Sequence, residues 1–335
     1  MIKTICDVSQ IDKVQWEDLL RESSYRNAFQ TLKCYEFYCS LSFMESFIFA
    51  VCEDDVLKGV IVGYIQKDGG KIKQFFSRRA IINGGPLITE DISELALEKL
   101  LFECRTQLKK KAIYVEMRNY NDYSKYKNSF INSGFIYEQH YNFHVDCLDK
   151  TTMWHKISES KRRQINKAIK SGVYIVEATT EMEIRSFYCL LSTLYKEKVK
   201  TPLVDYLFFS KFYSSGLGKI LLVKFEDNVI GGILCPILNC NVIYEWFVVG
   251  MDNEYKSYYP SVMATWAAID YACSHGIERF DFMGAGAPND GGYGVRDFKA
   301  KFGGELVEHG RFKCVNNKLL YEIGKLGVEL LKKKK

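Results

Sequence analysis

The order of apolar patterns repeats along the chain, and that repeat limits the possible folds more than any other feature. Strand-like runs at 47–53, 56–66 and 74–83 lead to a helix at 92–109, a strand at 112–119, a helix at 123–133 and a strand at 135–147. The second half gives strands at 219–225, 229–238 and 242–250, a helix from Pro260 to His275-Gly276, a strand at 278–283, a short helix and a strand at 306–315. One or two helices precede each set. A trace of the repeat survives at an offset of 169, pairing Gly134 with Gly303, His140 with His309 and Phe143 with Phe312. Two tandem α/β (α+β) domains are expected, each a mixed, mostly antiparallel sheet flanked by helices. Their spans are 1–150 and 151–316, followed by a basic amphipathic helix at 317–335.

Local signals support these elements. Ser9 and Asp12 read as a capping box before a helix carrying Val14, Trp16, Leu19 and Leu20, and Thr180 with Glu183 as another before Ile184, Phe187 and Leu191. With 335 residues, 47% hydrophobic and 26% charged, the chain has room for two cores. A formal charge of +5 permits an anionic partner without requiring one. The 11 cysteines are scattered singly, as expected of buried thiols in a reducing compartment. His140 and His144 share one strand face, but no metal is expected there. No signal peptide opens the chain, and no apolar run reaches the roughly 20 residues of a membrane span, so a cytoplasmic location is expected.

The stretch 242–314 organises the chain, and its glycine-rich loop is either a site or only a turn. A loop with Gly284, Gly286, Gly291, Gly292 and Gly294 joins a strand to a helix bearing Phe298 and Lys299. Glycines let a backbone approach a ligand closely and leave its N–H groups available. Asp281, in an apolar strand, is either a base or an acceptor that orients the loop. Arg162, Arg163 and Lys167 either bind phosphates or form a solvated helix face. Tyr244 and Trp246 alternate along one strand and either stack on a substrate or pack in the core.

Phe280-Asp281-Phe282-x-Gly284, followed by Phe298-Lys299-x-x-Phe302-Gly303, resembles the C-terminal signature of the Fem family. These are aminoacyltransferases that build the peptide bridges of peptidoglycan, and they contain two GNAT-type domains. Arg162-x-x-Ile165-x-Lys167-Ala168, then Gly172-Val173, is similar to the family's R-x-x-I-x-K-A helix. Asn83-Gly84-Gly85-Pro86 is similar to its R-G-P turn without the Arg, and Gln30 to the Gln of its Q-S-x-x-W motif without the Trp. The resemblance implies two GNAT-like domains and transfer of an aminoacyl group from aminoacyl-tRNA to an amine of a cell-envelope precursor, with no cofactor. It implies that Lys299 stabilises the transition state and that Phe298 packs on the acyl end. Arg296, Gly284, Tyr244, Trp246, Arg162, Arg163 and Lys167 are then the expected substrate contacts.

Two alternatives accompany this expectation. One is a coenzyme A-dependent N-acyltransferase acting on an amino sugar in surface polysaccharide synthesis. It is disfavoured because the turn matching the pyrophosphate loop of ordinary GNAT enzymes, Gly250–Lys256, holds one glycine and two acids. The other is a non-catalytic double-GNAT scaffold. The tail helix, with Leu319, Ile323, Leu326 and Leu330 and terminal Lys332–Lys335, either packs on its domain or rests on the inner face of the membrane, where a lipid-linked acceptor would lie.

Overall fold

The computed structural model describes residues 1–67, 77–289 and 294–333. The expected strand residues Gln74–Phe76, the loop glycines Gly291 and Gly292, the side chains of Leu330 and Lys332–Lys333, and Lys334–Lys335 lie outside the described residues.

Alternating apolar runs form the strands. The first unit begins with β1 (Ile2–Ile5), α1 (Lys13–Glu22), α2 (Leu32–Cys39), β2 (Met44–Glu53), β3 (Val56–Gln66), β4 (Arg79–Gly84) and β5 (Leu87–Ile88). It continues through α3 (Glu94–Leu108), β6 (Tyr114–Asn119), α4 (Lys127–Asn132) and β7 (Ile136–Glu138). The second unit opens with β8 (Tyr141–Asp146), α5 (Lys150–Lys156), α6 (Glu159–Lys170), β9 (Val173–Glu177), α7 (Glu181–Leu194) and α8 (Tyr206–Ser215). Then come β10 (Gly218–Phe225), β11 (Asn228–Leu238), β12 (Val242–Tyr244), β13 (Phe247–Gly250), α9 (Pro260–Ser274), β14 (Arg279–Asp281), α10 (Gly294–Ala300) and β15 (Glu305–Glu308). The chain closes with β16 (Arg311–Val315) and α11 (Lys318–Lys333). Side-chain caps open α1, α2, α3, α5, α6, α7 and α8. The Thr180–Glu183 capping box is present. The Ser9–Asp12 box is not: Asp12 itself caps α1 by accepting from Val14 N and Gln15 N, and Ser9 lies in a short 3-10 turn capped by Asp7.

The sheets are copies of one topology. One runs β1-β2-β3-β4-β6-β16-β7 with β5 on β3; the other, read from its far edge, runs β9-β10-β11-β12-β14-β8-β15 with β13 on β11. In each, the sixth strand is supplied by the other half of the sequence. The runs 135–147 and 306–315, each expected as one strand, break around His140 and His309, so β7 pairs β16 and β8 pairs β14. The compact units are therefore Met1–His140 with Glu308–Lys335, and Tyr141–Val307, where the expected boundaries fell after residues 150 and 316. The pairs at an offset of 169 occupy matching places. Gly134 and Gly303 have φ of +88° and +80°, and Phe143 and Phe312 sit in the exchanged strands. A Cβ on Gly303 would lie 2.5 Å from the Lys156 backbone, so that turn excludes larger residues.

Each sheet has its own core. In the first unit Leu97, Leu100 and Leu101 of α3 pack with Phe47, Ile61 and Phe130, and Phe130 stacks on Phe312 at 3.8 Å. In the second, the nearly all-apolar helix α9 buries Met263, Ala267 and Ile269 with Ile233, Phe280 and Phe302. The expected strand 242–250 is divided. Ile243 pairs Ile237 but Phe247 pairs Leu234, a slip of one residue. The break frees Glu245 to donate its N–H to Asp281 O at 2.9 Å. β12 thus follows β14 while β13 stays on β11.

Candidate active site

The strand break, the loop after β14 and α10 converge on one buried charge cluster in the second unit. The Lys299 ammonium lies 2.9 Å from Glu245 Oε1 and donates to Phe282 O at 2.9 Å and Gly284 O at 2.8 Å. Its three N–H groups therefore have three acceptors. The Lys299 and Glu245 side chains are 12% and 5% exposed. Burial pushes the Glu245 carboxyl above its usual range; Lys299 opposes this and Asp281 adds to it. One turn earlier, Arg296 Nε donates to Ala285 O at 2.9 Å and its Nη2 to Ala287 O, while the guanidinium rests 5.0 Å from the Tyr141 ring centre. Lys299 and Arg296 thus tie α10 to the carbonyls of the 282–287 loop.

The amides of that loop are engaged from the other side. Asp281 Oδ1 accepts from Met283 N at 2.7 Å, Asn142 Oδ1 from Gly284 N at 2.8 Å and Tyr141 O from Ala285 N at 2.6 Å. The expectation that this loop leaves its N–H groups free for a ligand is corrected for these three. Gly284, at φ +137°, and Met283, at φ +56°, adopt backbone conformations that most side chains avoid, and the surrounding hydrogen bonds over-determine them.

Asp281 is fully buried. Asn142 Nδ2 donates to its Oδ1 at 2.7 Å, and His144 Nε2 lies 3.1 Å from its Oδ2. Burial raises its carboxyl, but His144, Arg279 and Asn142 outweigh burial and hold it below the ordinary carboxylate range. A carboxylate so held is a weak proton acceptor and a strong fixture for the loop.

The other expected residues spread out from this centre. Tyr244 is fully buried and pairs Asp281 across β12 and β14. Trp246 sits in the break, not on the same strand face, with its ring centre 4.9 Å from Phe208 and 6.1 Å from Phe212. Phe298 is half-buried against Phe302. On α6, Arg163 is exposed beside Glu159 at 3.8 Å, Lys167 lies 5.6 Å over the Tyr259 ring, and Arg162 is half-buried. Gln30 is buried in the first unit, where it bonds Val62 and Asn83 and bridges β3 and β4.

Sequence reasoning missed Glu245 and Asn142, and gave His144 and Lys161 no part in the site. A lone acid within the apolar run 242–250 was the available signal for Glu245. The signal for Lys161 was its place on the buried stripe of α6, with Ile165 and Ala168.

Residues 228–327, which contain Glu245, Asp281, Phe298 and Lys299, match the model of the FemAB family. The chain therefore carries a FemAB-like segment. Among solved structures, FemX is similar over 96% of this chain and 99% of its own, with a TM-score of 0.71 at 15% identity. L-PGS from Bacillus licheniformis is similar over 96% and 98%, with a TM-score of 0.58 at 13% identity. A tandem GNAT protein from the clavulanic acid biosynthesis pathway is similar over 94% and 99%, at 0.59 and 12%. At these identities the likeness establishes the fold: two GNAT-like domains in tandem. No curated protein matches the sequence. The Fem-like segment covers most of the second unit from β11 onward and reaches into α11.

Proposed function

We propose that the protein transfers an aminoacyl group from aminoacyl-tRNA to an amine of a cell-envelope precursor, such as a peptidoglycan peptide. The observation that carries the choice of donor is the state of the helix that follows β13. A GNAT enzyme using coenzyme A holds the pyrophosphate on free N–H groups at that point. Here Pro260 brings no N–H, and the Asp252 carboxylate accepts from Ser261 N at 3.1 Å and from Ser261 Oγ. The matching helix of the first unit is closed in the same way. Glu53 accepts from Ser93 N at 3.1 Å and Ser93 Oγ at 2.6 Å, and Ser93 caps α3. A carboxylate at each place repels a diphosphate.

In the proposed reaction the amine nitrogen attacks the ester carbonyl of the charged tRNA. A C–N bond forms, the ester C–O bond breaks, and the proton lost by nitrogen ends on the released ribose oxygen. Phe298 flanks the acyl group. Lys299, Arg296 and Asp281 act by fixing the loop and the helix that present Phe298, because their own polar atoms are already engaged. Arg162, Arg163 and Lys167 take phosphates of the donor. The acceptor is proposed to be lipid-linked, with α11 resting on the anionic inner face of the membrane. Tyr321 packs edge-on to Tyr114 at 5.3 Å, while Leu319, Ile323 and Leu326 remain exposed on the other side of the helix. No helix among the described residues is long and apolar enough to cross a membrane. Melting curves with acetyl-CoA and with a charged tRNA test the donor. Stabilisation by the tRNA alone is expected; stabilisation by acetyl-CoA alone would transfer the assignment to a coenzyme A-dependent N-acyltransferase.

A further inference from the structure

Lys161 occupies a position where a helix normally carries an apolar residue. With Ile165 and Ala168 it forms the buried stripe of α6, and it is 7% exposed. Among the described residues its ammonium has no carboxylate within ion-pair distance and no hydrogen-bond acceptor. It is held instead over aromatic faces, 4.0 Å from the Phe298 ring centre and 5.5 Å from that of Phe302. The two cations of α10, Lys299 and Arg296, are held by backbone carbonyls and Glu245. The charges acting on Lys161 are Lys301, which repels it, and Asp252, whose two oxygens are held by Ser261. Burial first, and then Lys301, push its amine down to about 8, with Asp252 opposing.

A buried ammonium without a counter-ion is costly unless something anionic completes it. We propose that Lys161 is an anion-binding residue of the acyl-transfer site, taking a phosphate group of a substrate beside Phe298. Only the bearer of that phosphate depends on the proposed function: it would be the 3′ end of the tRNA, whereas the coenzyme A alternative supplies a pyrophosphate. A phosphate on Lys161 would sit next to the ring that flanks the acyl group, tying donor binding to the placement of Phe298.

The full-length protein is labelled with acetic anhydride at pH 8, and Lys161 modification is followed by mass spectrometry. Inorganic pyrophosphate, a CCA trinucleotide and coenzyme A are added in separate arms. Pyrophosphate and the trinucleotide should slow labelling of Lys161 at least about five-fold while leaving an exposed control such as Lys13 unchanged. K161M, which places an apolar side chain of similar length in an apolar setting, should fold with an unchanged or higher Tm and bind the trinucleotide at least about ten-fold more weakly; K161R should retain binding. Protection by coenzyme A but not by the trinucleotide would uphold Lys161 as an anion site and overturn the proposed donor. No protection by any of the three, or a K161M that binds the trinucleotide like the wild type, would overturn the inference itself.

Discussion

The residue that joins chemistry to stability is Lys299. Its partner Glu245 is nearly inaccessible, so removing the ammonium leaves a carboxylate buried without a counter-charge. K299M should therefore cost about 3–5 kcal/mol in chemical denaturation, the scale for one partner of a buried pair, and K299M/E245Q should recover most of it. Turnover in K299M should fall about 10²-fold, the scale on which a misplaced reacting group lowers a rate. If Lys299 acts by holding the loop and Phe298, the double variant regains stability but not rate, since neither side chain then reaches Phe282 O or Gly284 O. A double variant with wild-type turnover would remove Lys299 from the reaction. Lys299 and Asp281 were legible because they stand in a recognisable string. Their partners were not. Asn142 and His144 come from β8 and Glu245 from the break after β12, all distant in sequence, and only the sheet register brings them to Asp281.

At the scale of elements, the exchanged strand β16 carries Arg311 and Lys313 to Glu116 on β6. Arg118 Nε lies 2.7 Å from the Glu116 carboxylate, Arg311 3.3 Å and Lys313 3.6 Å. Burial raises the Glu116 carboxyl, but Arg118 and Arg311 outweigh it and bring it from 4.5 down to about 2. A depressed carboxyl contributes stability above its unfolded value and loses it as pH falls through the folded one. The contribution should be on the order of 3 kcal/mol above pH 4.5 and disappear between pH 4.5 and 2. Denaturation at stepped pH should show E116Q losing less stability than the wild type over that window. Parallel acid limbs in the two proteins would contradict the assignment. The strands themselves were readable from alternation, and α3 and α9 from their apolar runs. The breaks at His140 and His309 were not, because a strand that turns into a second sheet keeps the same alternation on both sides of the turn. Helix α8 was also missed, although Phe208, Phe209 and Phe212 stand at the i, i+1, i+4 spacing of a buried helix face, with Lys211 and Ser214 exposed.

For the whole molecule, the repeat in element order was enough to predict two like domains, and the structure adds that each sheet is completed by the other half's strand. The donor could not be read at that level, since one fold serves several acyl donors, and the donor proposed here rests on how two helix N-termini are closed. Charge on α6 bears on the same choice. R163E/K167E should weaken binding of tRNA and flatten the fall of log affinity with log salt by about 1.5, the change expected on losing two phosphate contacts. An unchanged slope would remove that face from the interface. The most direct test of the central claim is a transfer assay with tRNA charged with radiolabelled amino acids, acetyl-CoA labelled separately, and a peptidoglycan precursor bearing a free amine. Label should pass from tRNA to the precursor as an amide, and none should pass from acetyl-CoA. Label reaching the amine from acetyl-CoA, with the charged tRNA left intact, would contradict the account.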